Sequence, residues 1–547
     1  MTEQLLQVRN LVIPLPGGGD RKNGVDGISF MVGSGRTTCL IGESGSGKSL
    51  TAQAILGLLP EKFDRPTGTA EFGGANLLAL DPSALRRVRG ARISMIFQEP
   101  MTALNPLQKV GRQIDEVLRA HMRMTPAARR ARVLSILGEV NLDAERVIGR
   151  FPHQLSGGQR QRVMIAMALV MEPRLLIADE PTTALDVTTQ AQILRLISQL
   201  QARHGTGVLF ITHDFGVVKQ IADDIAVMHR GRVVEAGPVA DILSSPREEY
   251  TKALLAAVPK GELRPPVART GPVVLEAAGL TKVYSHRPFL FGKPKRFVAL
   301  QDVSLQLRSG EILGIVGESG SGKSTTARCI SRLVDPDEGK VLLGGEDFGA
   351  LRGNALRLAR QRMQMVFQDP YSALNPRRRV GDILMQAPLN FGVPRAEAQA
   401  RARRMLQLVG LDPSAFSRFP GEFSGGQRQR ICIARALIPQ PKLLIADEAV
   451  SALDVSVQAQ ILTLLKSIRD QMDLAILFIT HDLRVAAELC DRLIVMKDGC
   501  IVDQGTCAQV LFESTVPYTR TLIDAIPGNK LTKSDRFIDT VAAGQGN

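Results

Sequence analysis

Four blocks of this sequence occur twice, in the same order, and no other feature limits the fold as strongly. Gly-Glu-Ser-Gly-Ser-Gly-Lys-Ser stands at 42–49 and at 317–324, and Ser-Gly-Gly-Gln-Arg-Gln-Arg at 156–162 and 424–430. Leu-Leu-Ile-Ala-Asp-Glu stands at 175–180 and 443–448, and Ile-Thr-His-Asp at 211–214 and 479–482. The first pair is 275 residues apart and the other three 268, so the drift falls between the first two blocks, where loops absorb it. Tyr250-Thr251 and Pro259 are matched by Tyr518-Thr519 and Pro527. A period this long implies two homologous domains, not a solenoid. The expected organisation is a first domain over 1–259, a linker over 260–272 and a second domain over 273–547. Pro265, Pro266 and Pro272, with two glycines, make that linker short and semi-rigid.

Each half has the rhythm of an α/β domain. Thr37–Ile41, Ile93–Phe97, Leu175–Ala178, Val208–Thr212 and Ile225–Met228 are short, mostly apolar runs that predict strands. Gln190–Arg203 reads as a helix, and the stretch from about Pro106 to Met171 lacks strand-like runs. The expectation is a parallel-sheet core carrying a helical insert. The longest apolar run falls short of the ~18–20 residues of a membrane span. Met1-Thr2-Glu3-Gln4 does not begin a secretory signal, so a cytosolic or membrane-peripheral chain is expected. The net charge of +14 permits acidic partners, among them phosphates, nucleic acid and an anionic membrane face, and chooses none. Aromatics are only 4% of the chain and tryptophan is absent, which disfavours a base-stacking reader of single strands. The six cysteines form no Cys-x-x-Cys pair, which argues against structural zinc and a disulfide framework.

Chemistry concentrates in the repeated blocks. Gly42, Glu43, Ser44, Gly45, Ser46, Gly47, Lys48 and Ser49 follow one predicted strand. Gly317, Glu318, Ser319, Gly320, Ser321, Gly322, Lys323, Ser324 and Thr325 follow another. Helix-compatible runs, Ser49–Leu59 and Ser324–Leu333, come next, the context of a phosphate-binding loop. Glycines let several backbone N–H groups converge on one anion at a helix start. Lys48 and Lys323 are then placed for the β- and γ-phosphates of ATP, and Ser49 and Ser324 for Mg²⁺. Asp179 and Asp447 end apolar strands and are placed to hold Mg²⁺. Glu180 and Glu448 are placed to polarise an attacking water. The bland alternative is a buried strand ending in a solvated acidic turn. A lone histidine would more often be structural, but the paired context of His213 and His481 favours a γ-phosphate contact. Gln98 and Gln368 end Ile93–Phe97 and Met363–Phe367, where they can reach Mg²⁺ or the lytic water, unless these are ordinary strand exits. Ser156, Gly157, Gly158 and Gln159, like Ser424, Gly425, Gly426 and Gln427, precede helix-compatible runs. They read either as plain N-caps or as a second anion site serving the other half's nucleotide.

Phosphate loop, glutamine, Ser-Gly-Gly-Gln, Asp-Glu, Ala-Leu-Asp (184–186 and 452–454) and histidine come in the order seen in ABC-transporter ATPases, which the chain resembles over nearly its whole length. The resemblance implies two tandem P-loop NTPase domains of α/β class. Each would have a RecA-like core, a helical insert and an N-terminal antiparallel β subdomain. It also implies a head-to-tail sandwich, in which Lys48, Asp179 and Glu180 share one ATP with Ser424–Gly426, and Lys323, Asp447 and Glu448 share another with Ser156–Gly158. Asp186 and Asp454 would communicate across the seam. A narrower resemblance, to the oligopeptide/dipeptide/nickel importer branch, rests on residues 98–106 and 368–376, both ending Ala-Leu-Asn-Pro, and on the paired Tyr-Thr tails.

The narrower resemblance implies an ATP-hydrolysing, energy-coupling subunit of an importer for di- or oligopeptides, with nickel, glutathione and sugar as alternatives. It would lie on the cytoplasmic face of the inner membrane. Its partners would be two transmembrane permease subunits, docked at an apolar groove near Gln98 and Gln368, and an extracytoplasmic substrate-binding protein; no nucleic acid is expected. The branch often stacks adenine on an aromatic ring of the N-terminal strand, a place taken by Tyr284 in the second half and by Leu15 in the first. Cys500 and Cys507 alone cannot hold the iron–sulfur centre of some relatives. A tandem ATPase acting on ribosomes or nucleic acid would need a long charged linker or zinc modules, which this sequence lacks. A non-enzymatic scaffold conflicts with two intact catalytic sets. Glu448-Ala449-Val450 replaces Glu180-Pro181-Thr182 without an evident reason.

Overall fold

The computed structural model describes residues 4–17, 21–99, 103–182, 185–263, 270–286, 295–451 and 453–528. Pro100, Met101 and Thr102 of the first importer-like segment, Ala184, Ala452 and the linker's Pro265-Pro266 lie outside the described residues. The chain divides into two compact units, Met1–Leu185 with Thr189–Val258, and Asp186–Thr188 with Pro259–Asn547.

In the first unit the strands are β1 (Gln4–Pro14), β2 (Asn23–Gly33), β3 (Thr37–Ile41), β4 (Thr67–Phe72), β5 (Ala75–Asn76), β6 (Ile93–Ile96), β7 (Leu175–Asp179), β8 (Gly207–Thr212), β9 (Asp224–His229) and β10 (Arg232–Pro238). They form two sheets. One, in the order β2-β1-β4-β5, is antiparallel. The other, β10-β9-β3-β8-β7-β6, is parallel except for the edge strand β10. Every residue of β3, β7 and β8 is buried, as a parallel sheet covered on both faces requires. Alternation sorts the side chains. Leu40, Leu175, Ile177, Leu209 and Ile211 pack into one core with the antiparallel sheet. Cys39, Ile41, Leu176, Ala178, Val208 and Phe210 pack into another with the helical insert.

That insert consists of helices Val110–His121, Pro126–Glu139, Ala144–Val147 and Gly157–Leu169. Three of their starts are capped by side chains. Thr125 accepts from the Ala128 amide, Asp143 from Arg146 and Ser156 from Gln159. The expected all-helical stretch is therefore observed, and the predicted strands are each met within a residue or so at their ends.

The second unit repeats this plan. Its six-stranded sheet runs Met363–Val366, Leu443–Asp447, Ala475–Ile479, Ile312–Val316, Arg492–Lys497 and Cys500–Thr506, with the last strand antiparallel. The helices after the two loops, Lys48–Ile55 and Lys323–Ile330, are shorter than the sequence suggested. Each stops before a left-handed residue, Gly57 (φ +58°) and Arg332 (φ +54°), which a right-handed helix cannot contain. The stretch after Val258 is seated on the second unit: Leu263 is buried, and the Lys260 and Gly261 amides donate to the Glu488 carboxylate at 2.6 and 3.2 Å. Burial raises the Glu488 pKa.

Phe478 is fully buried in the middle of the second sheet. Phe478→Ala should cost about 3–5 kcal/mol. By calorimetry on the full chain the earliest transition should fall by roughly 10 °C. An unshifted trace would contradict a packed ring at that position.

Candidate active site

Both sites assemble at the carboxyl ends of the parallel strands, where open α/β sheets bind ligands. β3 leads into the first glycine-rich loop, β6 into Gln98, β7 into Glu180 and β8 into His213. Two glycine positions show why the loop tolerates no side chain. Gly42 and Gly317 have φ near +148° and +149°, and a Cβ there would fall 2.2 and 2.3 Å from the Met228 and Met496 carbonyl oxygens.

Lys48 and Lys323 are buried beneath their loops. Lys48 Nζ donates to the Gly42 and Glu43 carbonyls at 2.8 and 2.9 Å, and Lys323 Nζ to those of Gly317 and Glu318 at 2.8 and 2.8 Å. Burial pulls the Lys323 pKa down, against the raising effect of the Glu448 carboxylate. Ser49 Oγ donates to Asp179 Oδ1 at 3.0 Å, and Ser324 Oγ to Asp447 Oδ1 at 3.0 Å. Both aspartates are raised by burial, Asp179 to about 6, with the serine hydrogen bond opposing.

The glutamates lie one residue beyond. Gln98 Nε2 donates to Glu180 Oε2 at 3.0 Å, and His213 Nδ1 is 3.2 Å from Glu180 Oε1. In the second half Gln368 Nε2 donates to Glu448 Oε2 at 2.8 Å, and His481 Nδ1 stands 3.6 Å from the same oxygen. Burial pushes Glu448 up, but the His481 ring and the Lys323 charge outweigh it and hold the carboxyl below its ordinary value. The same carboxylate raises His481 against the effect of burial. Glu180 and Glu448 are both left-handed, with φ of +46° and +48°. Non-glycine residues in this conformation carry strain of order 1–3 kcal/mol. In this conformation each carboxylate meets its glutamine and histidine, and nothing in the sequence signals it.

The two signature serines cap their own helices. Ser156 and Gln159 form a reciprocal capping box, as do Ser424 and Gln427. The second glycine of each signature packs against the helix after the Asp-Glu strand. A Cβ on Gly158 would meet Thr189 at 3.0 Å, and one on Gly426 would meet Val457 at 2.2 Å. In the second half Tyr371 ties the segment after Gln368 to the signature helix Gly425–Leu437, with the Arg428 guanidinium 4.2 Å from its ring centroid. Tyr284 is partly exposed on the outer antiparallel sheet, opposite Phe297. Leu15 follows β1, its amide donating to the Lys22 carbonyl at 2.9 Å.

A cavity of about 730 Å³ flanks the first loop, lined among others by Arg21, Lys22, Glu43, His229, Arg232 and Tyr250. Sequence reasoning attached no role to His229, Arg21 or Arg232. They stand outside the repeated blocks, and only the meeting of the β1–β2 hairpin, the end of β9 and the tail brings them to the loop.

A glycine-rich loop at a helix start, a buried lysine, a Ser–Asp pair and a glutamate hydrogen-bonded by a glutamine, all present twice, define a tandem P-loop nucleoside triphosphatase. Residues 25–183 and 300–451 match the ABC transporter family, and residues 234–276 match the oligopeptide/dipeptide transporter C-terminal region. The chain belongs to the ABC transporter ATP-binding family, in its oligopeptide/dipeptide branch. It is 45% identical over 533 residues to the peptidoglycan transport ATP-binding protein YejF of Agrobacterium fabrum, covering 96% of each chain. The glutathione import ATP-binding protein GsiA of Pectobacterium atrosepticum is 44% identical, over 96% of this chain and 90% of its own. A YejF of Escherichia coli, an uncharacterised ABC transporter ATP-binding protein, is 45% identical, over 96% of this chain and 99% of its own.

The Asp179 pKa has a consequence for stability. The folded carboxyl titrates near 6 and the unfolded one near 3.8, so the folded state holds the proton more tightly. Stability of the ligand-free chain therefore falls as pH rises from about 4 to about 6 and is flat above. Asp179→Asn removes this penalty. By thermal melting without nucleotide, its stability gain should be larger at pH 8 than at pH 5. An equal gain at both would refute the shifted carboxyl.

Proposed function

We propose that this chain is the energy-coupling subunit of an importer for short peptides, hydrolysing ATP at two sites. The observation that carries this reading is the twice-built set of a buried lysine, a Ser–Asp pair and a Gln–Glu–His cluster, in a chain of the oligopeptide/dipeptide branch. Peptidoglycan and glutathione, for which two relatives are named, both contain peptide bonds, which favours di- and oligopeptides over nickel or sugar.

ATP and Mg²⁺ fit the residues present. Ser46 and Ser321 each bury a hydroxyl oxygen with no hydrogen-bond partner inside the loop. A buried hydroxyl without a partner is costly, and a phosphate oxygen would satisfy it. No cluster of three or more His, Cys, Asp or Glu suited to a metal occurs among the described residues. Mg²⁺ needs no such cluster: it is held by one or two carboxylates with substrate phosphate and water. Ser49 with Asp179, and Ser324 with Asp447, would hold it, with Gln98 and Gln368 in reach. Bound there, Mg²⁺ would neutralise charge on the β- and γ-phosphates.

The chain's own groups do the rest. Lys48 and Lys323 leave the loop carbonyls for phosphate oxygens, exchanging neutral acceptors for charged ones. Glu180 and Glu448 accept hydrogen bonds from the attacking water and orient it. His213 and His481 hold those carboxylates and face the γ-phosphate, and Gln98 and Gln368 position the same water. Each signature, Ser156–Gly158 and Ser424–Gly426, serves the nucleotide bound by the other half, so hydrolysis removes the charge that joins them. Asp186 and Asp454 relay between the two sites. Tyr284 stacks on adenine at the second site, where Leu15 gives apolar contact at the first.

No helix among the described residues is long and apolar enough to cross a membrane. As in an importer of this branch, the pore is assigned to two permease subunits, supplied with cargo by an extracytoplasmic binding protein, with this chain at the inner face of the membrane. Phe97, Phe367 and Tyr371, within three residues of the two glutamines, are exposed, as is Leu107 further along the first segment, and suit an apolar permease surface.

Removing the general base usually costs 10²–10⁴-fold. Glu180→Gln with Glu448→Gln should lower ATP turnover by about that factor and leave nucleotide binding in place, measured by phosphate release and by titration calorimetry. Undiminished turnover would refute the catalytic assignment. Co-purification from membranes, followed by peptide-stimulated ATPase assays of the reconstituted complex, tests the importer reading. Recovery of ribosomes or DNA alone would overturn it.

A further inference from the structure

The two tyrosines of the repeated Tyr-Thr tails reach the phosphate loops. Tyr250 Oη accepts from the Glu43 amide at 3.4 Å, and Tyr518 Oη from the Glu318 amide at 3.2 Å. These amides belong to the peptide units 42–43 and 317–318, whose carbonyl oxygens accept from Lys48 and Lys323 at 2.8 Å in both halves. Each peptide plane is thus held at its two ends, by the phosphate-binding lysine and by a tyrosine some 200 residues further on.

The support behind each tyrosine is also duplicated. Glu235 on β10 accepts from the Arg247 amide at 2.8 Å, just before helix Glu249–Ala257. Its counterpart Asp503 accepts from Thr519 Oγ1 at 2.8 Å in helix Pro517–Asp524. A carboxylate of the last strand therefore seats the helix that carries the tyrosine. The ring is held by the end of the neighbouring strand. His229 stacks on Tyr250 with centroids 3.9 Å apart, and Lys497 Nζ lies 4.8 Å from the Tyr518 centroid. The preceding residues, Met228 and Met496, present the carbonyls that exclude a side chain at Gly42 and Gly317. Burial raises the Tyr518 pKa to about 12, which keeps the phenol neutral.

We propose that Tyr250 and Tyr518 are positioning residues for nucleotide binding, through which the C-terminal tail of each half sets the shape of its phosphate loop. This rests on the ATP-binding reading above. With the hydroxyl in place the loop is pre-organised before nucleotide arrives; without it the 42–43 and 317–318 peptides can turn, and binding bears the cost of ordering them. The tail then links whatever acts on the helices at Glu249–Ala257 and Pro517–Asp524 to ATP affinity.

The test compares the full-length wild type, Tyr250→Phe, Tyr518→Phe, the double variant and Lys48→Ala with Lys323→Ala. Calorimetric titration with MgATP should show the double tyrosine variant binding roughly 3–10-fold more weakly, the worth of one hydrogen bond. Its KM for ATP should rise by a similar factor with kcat nearly kept, and its nucleotide-free melting temperature should match the wild type. A single variant should weaken one of the two sites. Wild-type affinity in the tyrosine variants, with binding lost in the lysine variant, would overturn the positioning role alone. Wild-type affinity in the lysine variant would overturn the ATP-site reading itself. A fall in kcat and melting temperature at unchanged KM would show that the tyrosines merely support the fold.

Discussion

A buried ammonium group governs each half of this protein. Taking a lysine out of water is costly unless its charge is met by polar partners. Lys48 and Lys323 meet that cost with two loop carbonyls apiece, and only a loop curled around the lysine can supply them. The curl demands glycines at 42 and 317, where the end of a neighbouring strand leaves no room for a side chain. It also leaves buried hydroxyls at Ser46 and Ser321 without partners. The loop is thus built around a position that an anion would complete.

The carboxylates answer the same charge in graded fashion. Asp179 and Asp447 are buried enough to be raised, each with a serine hydroxyl in place. Glu448 is held down by its histidine and by the lysine. In the second half the neighbouring acids Asp447 and Glu448 are thus pushed in opposite directions. The halves are not identical in detail. Gln161 donates to the Pro181 carbonyl, whereas Gln429, equally buried, has no hydrogen-bond partner in the half where Ala449 replaces Pro181. Both nevertheless keep the glutamate in a left-handed conformation and the glutamine hydrogen-bonded to it.

Packing joins the glutamine, the signature and the acidic pair of the second half. Gln368 stands two residues past a core strand, the segment after it carries Tyr371, and Tyr371 lies under Arg428 of the signature helix. That helix packs through Gly426 on the helix that follows the Asp-Glu strand. Glutamine, signature and carboxylates are thus joined by short contacts within a single unit.

Much of this was legible from residues alone. The repeated blocks established duplication, the strand-loop-helix context established a phosphate loop, and the strand-free stretch to Met171 established the insert, because periodicity and glycine placement are local properties. Helix ends were overrun at Leu59 and Leu333, since the stop comes from backbone handedness at Gly57 and Arg332. The linker residues Lys260 and Gly261 read as a tether but are bonded to Glu488, a residue more than 200 positions away. The sequence by itself determined which groups the chain possesses and how often: two lysines, two Asp-Glu pairs, two histidines, two signatures. Only the tertiary structure decided that a left-handed backbone places each glutamate beside its glutamine and histidine, that burial raises Asp447 while the His481 and Lys323 charges lower Glu448, and that a tail tyrosine holds each loop. Those outcomes depend on distance and solvent exclusion between segments far apart in the chain, which no local pattern encodes.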